Sequence, residues 1–361
     1  MKNSKLLTIA IPTFNRAETL SLLLNALLLE LPGLEDHIDV IIGDNASTDR
    51  TPKVTAAFKA AWPTATVLRH DQNLGADENF CQCIDQITTR YFWIIGDDDL
   101  PKTRVIRSTV DLLERENPDL VYLQSEWSNE VTSAAQGIQV EQLRYKYMSQ
   151  LDFARRVNVG FTFISGVVVN RDTFLRRSGM AAIRRFTDTS LVQLGWVLDV
   201  LRHGNRFIHV EDPCILAKAT NSGGYAVVAV FGRNFIQIVL DCLGNESPVA
   251  RAIVRRNIIG YLPQLIWNVR FASFGDFHRE DNWHSLKGTL SRHLFFWLVL
   301  TPISQGFKPI AWIFLKASRL ISRLVSANDR FREAAEGSVW PLYVDCEDRS
   351  AQAEGRGRRN V

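Results

Sequence analysis

A chain of 361 residues is long enough for one large core, or for a main domain with an appendage. Its 46% hydrophobic and 22% charged residues are those of an ordinary globular protein, and a formal net charge of +3 excludes the field of a nucleic-acid binder, so no nucleic-acid partner is expected. The five cysteines are odd in number and scattered, and Cys81 and Cys83 have no second ligand pair downstream, which favours reduced cytosolic thiols over a zinc site.

The N-terminus leads straight into a strand pattern, with no separate apolar signal region ahead of it. Residues 6–11 read as a short apolar strand closed by Pro12-Thr13-Phe14-Asn15, and residues 17–31 carry leucines at helical spacing. A second strand over 39–42 ends in Gly43-Asp44-Asn45. A helix follows over 51–61, and then a third strand over 66–68. Asn73-Leu74-Gly75 turns the chain into a helix reaching about residue 87, and a strand over 91–95 runs into Asp97-Asp98-Asp99 before Pro101. Strand and helix in alternation predict an α/β fold with a parallel, doubly wound sheet, whose ligands collect at the carboxyl ends of the strands. The polar clusters around Asn15, Asp44 and Asp97 all fall at such ends.

Beyond residue 120 the pattern is mixed. Residues 120–123, 162–169 and 206–210 read as strands and 191–201 as a helix, while 221–224 reads as a flexible loop and 230–290 as helical. Residues 294–315 are apolar, but Pro302, Gly306, Lys308 and Pro309 interrupt them, with basic residues around and Trp297 and Trp312 inside. Two short apolar helices of this kind fit a segment lying in a membrane interface, and the competing reading is a hairpin packed on the core. The tail after residue 328 is charged in both signs and predicts a loosely ordered end.

Three adjacent carboxylates repel and raise one another's pKa values. A divalent cation would neutralise them, and oxygen ligands favour Mg²⁺ or Mn²⁺, which share their coordination with substrate phosphates. The alternative is an acidic turn capping the next helix. For Asp44 and Asn45 the alternative is likewise a turn or cap, and for Asp188 it is an N-cap of the following helix.

Four segments taken together carry a resemblance: residues 7–16, residues 40–51, Asn73-Leu74-Gly75 with Asn79, and Ile94-Ile95-Gly96-Asp97-Asp98-Asp99. In this order they resemble glycosyltransferase family 2, inverting enzymes of the GT-A fold, and most closely bacterial O-antigen and capsule transferases of the abequosyltransferase-like group. The resemblance implies a Rossmann-like, mainly parallel sheet in a GT-A domain over residues 1–225. Its nucleotide-sugar half would be 1–120 and its acceptor half 121–225. A helical region over 226–327 with an interfacial segment 294–315 would follow, and then the tail 328–361.

The implied activity is inverting transfer of a sugar from a nucleoside diphosphate-sugar to a polyprenyl-diphosphate-linked saccharide, on the inner face of the cytoplasmic membrane. Pro12, Thr13, Asn15, Asp44, Asn45, Asn73, Gly75 and Asp97 would bind the donor. Asp98 and Asp99 would hold Mg²⁺ or Mn²⁺, with Asp98 favoured as the direct ligand. Gly96 stands where the family's metal motif has its first aspartate. Asp188 would be the general base, with Thr187 replacing the usual Glu and Glu211 and Asp212 as fallbacks. His209 reads as structural. The rival readings are a non-catalytic sugar-nucleotide or glycan-binding module and a sugar-phosphate nucleotidyltransferase. The latter lacks its glycine-rich loop after the first strand.

Overall fold

The computed structural model describes residues 5–128, 131, 140, 142–175, 179–219, 224–272 and 281–328. Residues 221–223 of the expected loop and the tail beyond 328 lie outside them.

The strands are β1 (Leu7–Thr13), β2 (Ile38–Asp44), β3 (Thr66–Arg69), β4 (Tyr91–Ile94), β5 (Leu100–Pro101), β6 (Leu120–Ser128), β7 (Tyr145–Met148), β8 (Val167–Asn170) and β9 (Phe207–Lys218). They form one sheet in the order β3-β2-β1-β4-β8-β6-β9-β5, with β7 also on β9. Strands β1 to β4 are parallel, and β8 runs antiparallel between β4 and β6. Because β9 is parallel to β6, both point the same way as the first four strands.

Side-chain parity explains why both faces of this sheet are covered. On β4, Tyr91 and Trp93 point into one core, and Phe92 and Ile94 into the other. On β1, Leu7, Ile9 and Ile11 join the first core and Ala10 the second. Strands apolar on both faces need helices on both. Helices Ala17–Glu30, Thr51–Ala61 and Val105–Glu116 supply one layer. Helices Ala76–Asp85, Gln150–Val157 and Gln193–His203 supply the other. The C-terminal helices continue this second layer: Phe235, Leu262, Leu300 and Leu315 belong to the same core as Phe92.

Four sequence readings change. Residues 162–169 are not one strand, because Asn158–Thr162 and Ile164–Gly166 are 3₁₀ turns and only Val167–Asn170 pairs. Thr162 Oγ1 donates to the Val159 carbonyl at 2.8 Å, and a Cβ at Gly166 would stand 2.8 Å from the Phe163 ring, so both local bonding and space favour turns here. Strand β1 runs through Pro12 to Thr13, its missing N–H tolerated opposite Gly43. Strand β9 likewise passes through Pro213, where its register with β6 shifts between Gln124 and Ser125. The helix expected over 191–201 is Gln193–His203.

Candidate active site

The carboxyl ends of β1, β2 and β4 lie side by side in the sheet, and the loops that follow them make the site. Thr13, the last residue of β1, donates its hydroxyl to Asp97 Oδ2 at 2.7 Å. Three residues on, Arg16 directs one guanidinium nitrogen to Asp97 Oδ1 at 3.3 Å and to Asp98 Oδ2. Asp97 is buried, which pushes its carboxyl up to about 6 against the pull of Arg16 and Thr13. Asp98 is the most open of the triplet.

Asp99 behaves differently from its two neighbours. Its Oδ2 accepts the Ser165 hydroxyl at 2.5 Å, and its Oδ1 accepts the Lys218 N–H at 3.3 Å. The Ser165 hydroxyl oxygen in turn accepts the Gly96 N–H at 2.8 Å. Burial, followed by the charge of Asp98, pushes Asp99 up to about 7. A Cβ at Gly96 would lie 2.9 Å from Asp99 Oδ2 and 3.4 Å from Asp98 Oδ1. The glycine therefore leaves room for the two later carboxylates to fold back over it.

Around β2 the polar residues clasp the loops together. Asn15 accepts the Thr48 N–H on its side-chain oxygen at 2.7 Å, and its own N–H donates to Ser47 Oγ at 2.9 Å. Asp44 is buried; its carboxylate accepts the Ser47 N–H at 2.9 Å and pairs with Arg69 at 2.5 Å. The Asp44 carboxylate thus closes the loop three residues on, with a salt bridge to Arg69 added. The Asn45 amide donates to Asn73 at 2.8 Å and to the Gly75 carbonyl at 3.1 Å, and its oxygen accepts the Leu74 N–H at 2.8 Å. Gly75 has φ +82 and ψ 163, a conformation that side chains resist, with open space where a Cβ would stand. Gly75→Ala should therefore cost about 1–3 kcal/mol through backbone strain alone, read as a lower Tm.

Asp188 is exposed and sits in left-handed backbone (φ +69), as does Ser190 (φ +61). It does not cap the next helix: that helix starts at Gln193 with no side-chain cap. Asp77, buried near the start of helix Ala76–Asp85, takes the adjoining backbone instead. Its carboxylate accepts the N–H of Ser190 at 2.8 Å and of Val192 at 3.4 Å. Burial raises the Asp77 pKa, and the nearby charge of Asp188 adds to the rise. The Asp188 loop is thereby tied to the helix that begins right after the Asn73–Gly75 turn, at the edge where Asp44 lies.

The fallback bases are engaged with cations of β7 and its lead-in. Glu211 pairs with Lys146 at 2.6 Å, and Asp212 holds Arg144 through two nitrogens at 2.8 and 2.6 Å. His209 is a core residue stacked on Tyr122, ring centroids 5.5 Å apart, and burial pushes its pKa down to about 4. Below pH 6.5 the unfolded chain takes up a proton that native His209 refuses. Stability should thus fall from pH ~6.5 toward ~4, by up to about 3 kcal/mol, and His209→Gln should flatten that slope in denaturant titrations.

Sequence reading assigned no role to Arg16, Arg69, Asp77, Ser165 or Lys218. Only Arg16 carried a usable signal: three adjacent carboxylates require a cation, and it lies one residue from Asn15. Among the described residues, no three His, Cys, Asp or Glu side chains converge as a complete metal cage. Two carboxylates, Asp97 and Asp98, suit an ion that takes its remaining ligands from a bound phosphate.

A doubly wound α/β sheet with a carboxylate pair and polar clasps at its carboxyl edge places the candidate site where ligands gather in such folds. The chain belongs to glycosyl transferase family 2, whose model matches residues 8–187. It is 36% identical over 95 residues to the abequosyltransferase RfbV of Salmonella typhimurium, a match covering 26% of this chain and 28% of that protein. Its fold is similar to that of S. aureus TarS 1-349 solved in complex with UDP-GlcNAc (TM-score 0.57, 12% identity, 93% of this chain and 98% of that one). It is also similar to a Pyrobaculum calidifontis mannosyltransferase solved with GDP-Man and Mn²⁺ (TM-score 0.51, 14% identity, 91% and 89% covered).

Proposed function

We propose that this glycosyltransferase moves a hexosyl or deoxyhexosyl group, with inversion, from a nucleoside diphosphate-sugar to a saccharide on polyprenyl diphosphate, in bacterial O-antigen or capsule synthesis at the inner face of the cytoplasmic membrane. The observation that carries this reading is the cluster of Thr13, Arg16, Asp97 and Asp98 at the β1 and β4 ends, linked through Asn45, Gly75 and Asp77 to the Asp188 loop. The nucleotide-sugars bound in the two structural neighbours and the name of the Salmonella relative support it.

Asp98, with Asp97 beside it, would hold Mg²⁺ or Mn²⁺. When bound, the ion neutralises charge developing on the departing nucleoside diphosphate. Asp99 then acts as a positioning group that fixes the Gly96 turn through Ser165. Pro12, Thr13, Asn15 and the Asn73–Gly75 turn form the floor for nucleoside and ribose. Asp44 retains free lone pairs on its oxygens and can accept a base N–H. Asp188 takes the acceptor hydroxyl proton as that oxygen bonds the anomeric carbon from the face opposite the diphosphate. The bond from the anomeric carbon to diphosphate oxygen breaks, and the proton stays on the Asp188 carboxyl.

A thermal-shift series with UDP-, GDP-, CDP- and dTDP-sugars plus Mn²⁺ should single out one donor. Labelled transfer from that donor to a polyprenyl-diphosphate saccharide tests the reaction. A donor that binds without turnover on any acceptor would instead indicate a binding module.

A further inference from the structure

Between Asp281 and Asp329 the sequence has no acidic residue, while Lys287, Arg292, Lys308, Lys316, Arg319 and Arg323 lie within that span. The same stretch collects exposed apolar surface. Of thirteen large hydrophobic side chains exposed among the described residues, eight lie between Leu294 and Leu324. Scattered exposure needs no explanation, but concentration in one short segment does.

Helix Lys308–Asn328 is apolar on two sides. Its inner side packs on the core through Ala311 and Leu315, both buried, and Arg319 bonds the Gln264 side chain at 2.6 Å. Its outer side presents Trp312, Ile313, Leu320 and Leu324, from 45% to 61% exposed. An exposed helix face is ordinarily polar. The preceding segment repeats the arrangement: Phe296 and Leu300 are buried, whereas Leu294, Trp297, Leu298 and Phe307 face outward. The Lys316 ammonium lies 5.1 Å from the Trp312 ring centroid, a cation above an aromatic on the same outer face.

No helix among the described residues is long and apolar enough to cross a membrane. A second copy of the chain is a poor occupant, since a symmetric pairing would set these cations against their own duplicates with no carboxylate from either copy's segment. Phosphate-bearing lipid headgroups provide both the negative charge and an apolar layer beneath it. We propose that the outer face of residues 294–324 docks in plane on an anionic bilayer. This names the surface at which the polyprenyl-linked acceptor would be met. It rests on the acceptor reading for its purpose only, because the test reads binding.

Sedimentation of the full chain with phosphatidylcholine vesicles, and with vesicles also containing phosphatidylglycerol, tests the face. Binding should be at least about tenfold tighter to the anionic vesicles, weaken with salt, and shift tryptophan emission to the blue. Ile313→Ser combined with Leu320→Ser should weaken binding at least about tenfold without lowering Tm, since both side chains are exposed. Leu29→Ser, at an 81% exposed apolar position elsewhere, should change nothing. The inference is overturned by equal affinity for the two vesicle types, by unaltered binding of the double variant, or by a dimer that the double variant dissociates. Transfer to a detergent-dispersed acceptor should survive in that variant, so failed docking and a wrong acceptor assignment give different results.

Discussion

Asp98→Asn should lower transfer by at least about 10²–10³-fold, with Mn²⁺ binding in the presence of nucleoside diphosphate weakened in parallel. The substitution keeps shape and replaces one anionic oxygen by an amide, in the member of the triplet most open to an incoming ion. It also removes one of the two anionic partners of the Arg16 guanidinium, leaving Asp97 as its remaining carboxylate partner. The matched control is Asp99→Asn. Asp99 bonds Ser165 and the Lys218 N–H, so its loss should show first in Tm, with Mn²⁺ affinity largely kept. Electron paramagnetic resonance of Mn²⁺ separates the two, because it reads ion binding without turnover. If Asp99→Asn abolishes Mn²⁺ binding while Asp98→Asn leaves it intact, the division of the triplet argued above is wrong.

That division depends on contacts formed across the sheet. The run from Tyr91 to Asp99 shows a buried strand ending in charge, and alternation along it tells which residues enter which core. It does not show that Ser165, nearly seventy positions later, comes to rest against Asp99 and Gly96. The first hundred residues were legible because β1, β2 and β4 are apolar on both faces, and turn residues and helices of ordinary length alternate with the strands. The stretch from 150 to 170 was harder because its apolar residues are interrupted by Asn158, Gly160 and Gly166, which lie in or beside turns. Asn158 takes φ +48 to end one helix, and a Cβ at Gly160 would lie 2.7 Å from the Tyr122 hydroxyl. Pro12 suggested a strand end, and the strand read over 206–210 runs on through Pro213; the sheet accommodates both prolines at positions where the ladder does not need their N–H. Arg16 and Asp77 escaped notice for a related reason. One looks like a surface cation at a helix start, and the other like an acid placed to suit a helix dipole. For Asp77, only its distant partners reveal another duty.

The second large effect concerns the general base. Asp188→Asn should reduce kcat by about 10²–10⁴-fold while leaving donor affinity unchanged, because its carboxylate is absent from the contacts that build the donor edge. The surrounding backbone sharpens the test. Asp188 and Ser190 both occupy left-handed conformations, which cost non-glycine residues energy unless neighbouring structure enforces them. Asp77 supplies part of that enforcement by accepting the Ser190 and Val192 N–H groups, and the Asn234 amide holds the Thr189 carbonyl at 3.0 Å. Asp77→Asn keeps a side-chain oxygen that can accept one of these bonds, whereas Asp77→Ala keeps none. The expected order of kcat is therefore wild type, Asp77→Asn, Asp77→Ala, then Asp188→Asn lowest, with the donor dissociation constant steady across the series. A loop that served stability alone would give a different pattern: Tm would fall in the Asp77 variants while kcat held. Retention of full transfer by a folded Asp188→Asn protein would remove this residue as the base. The search would then pass to Glu211, whose pairing with Lys146 would have to open before its carboxylate could take a proton.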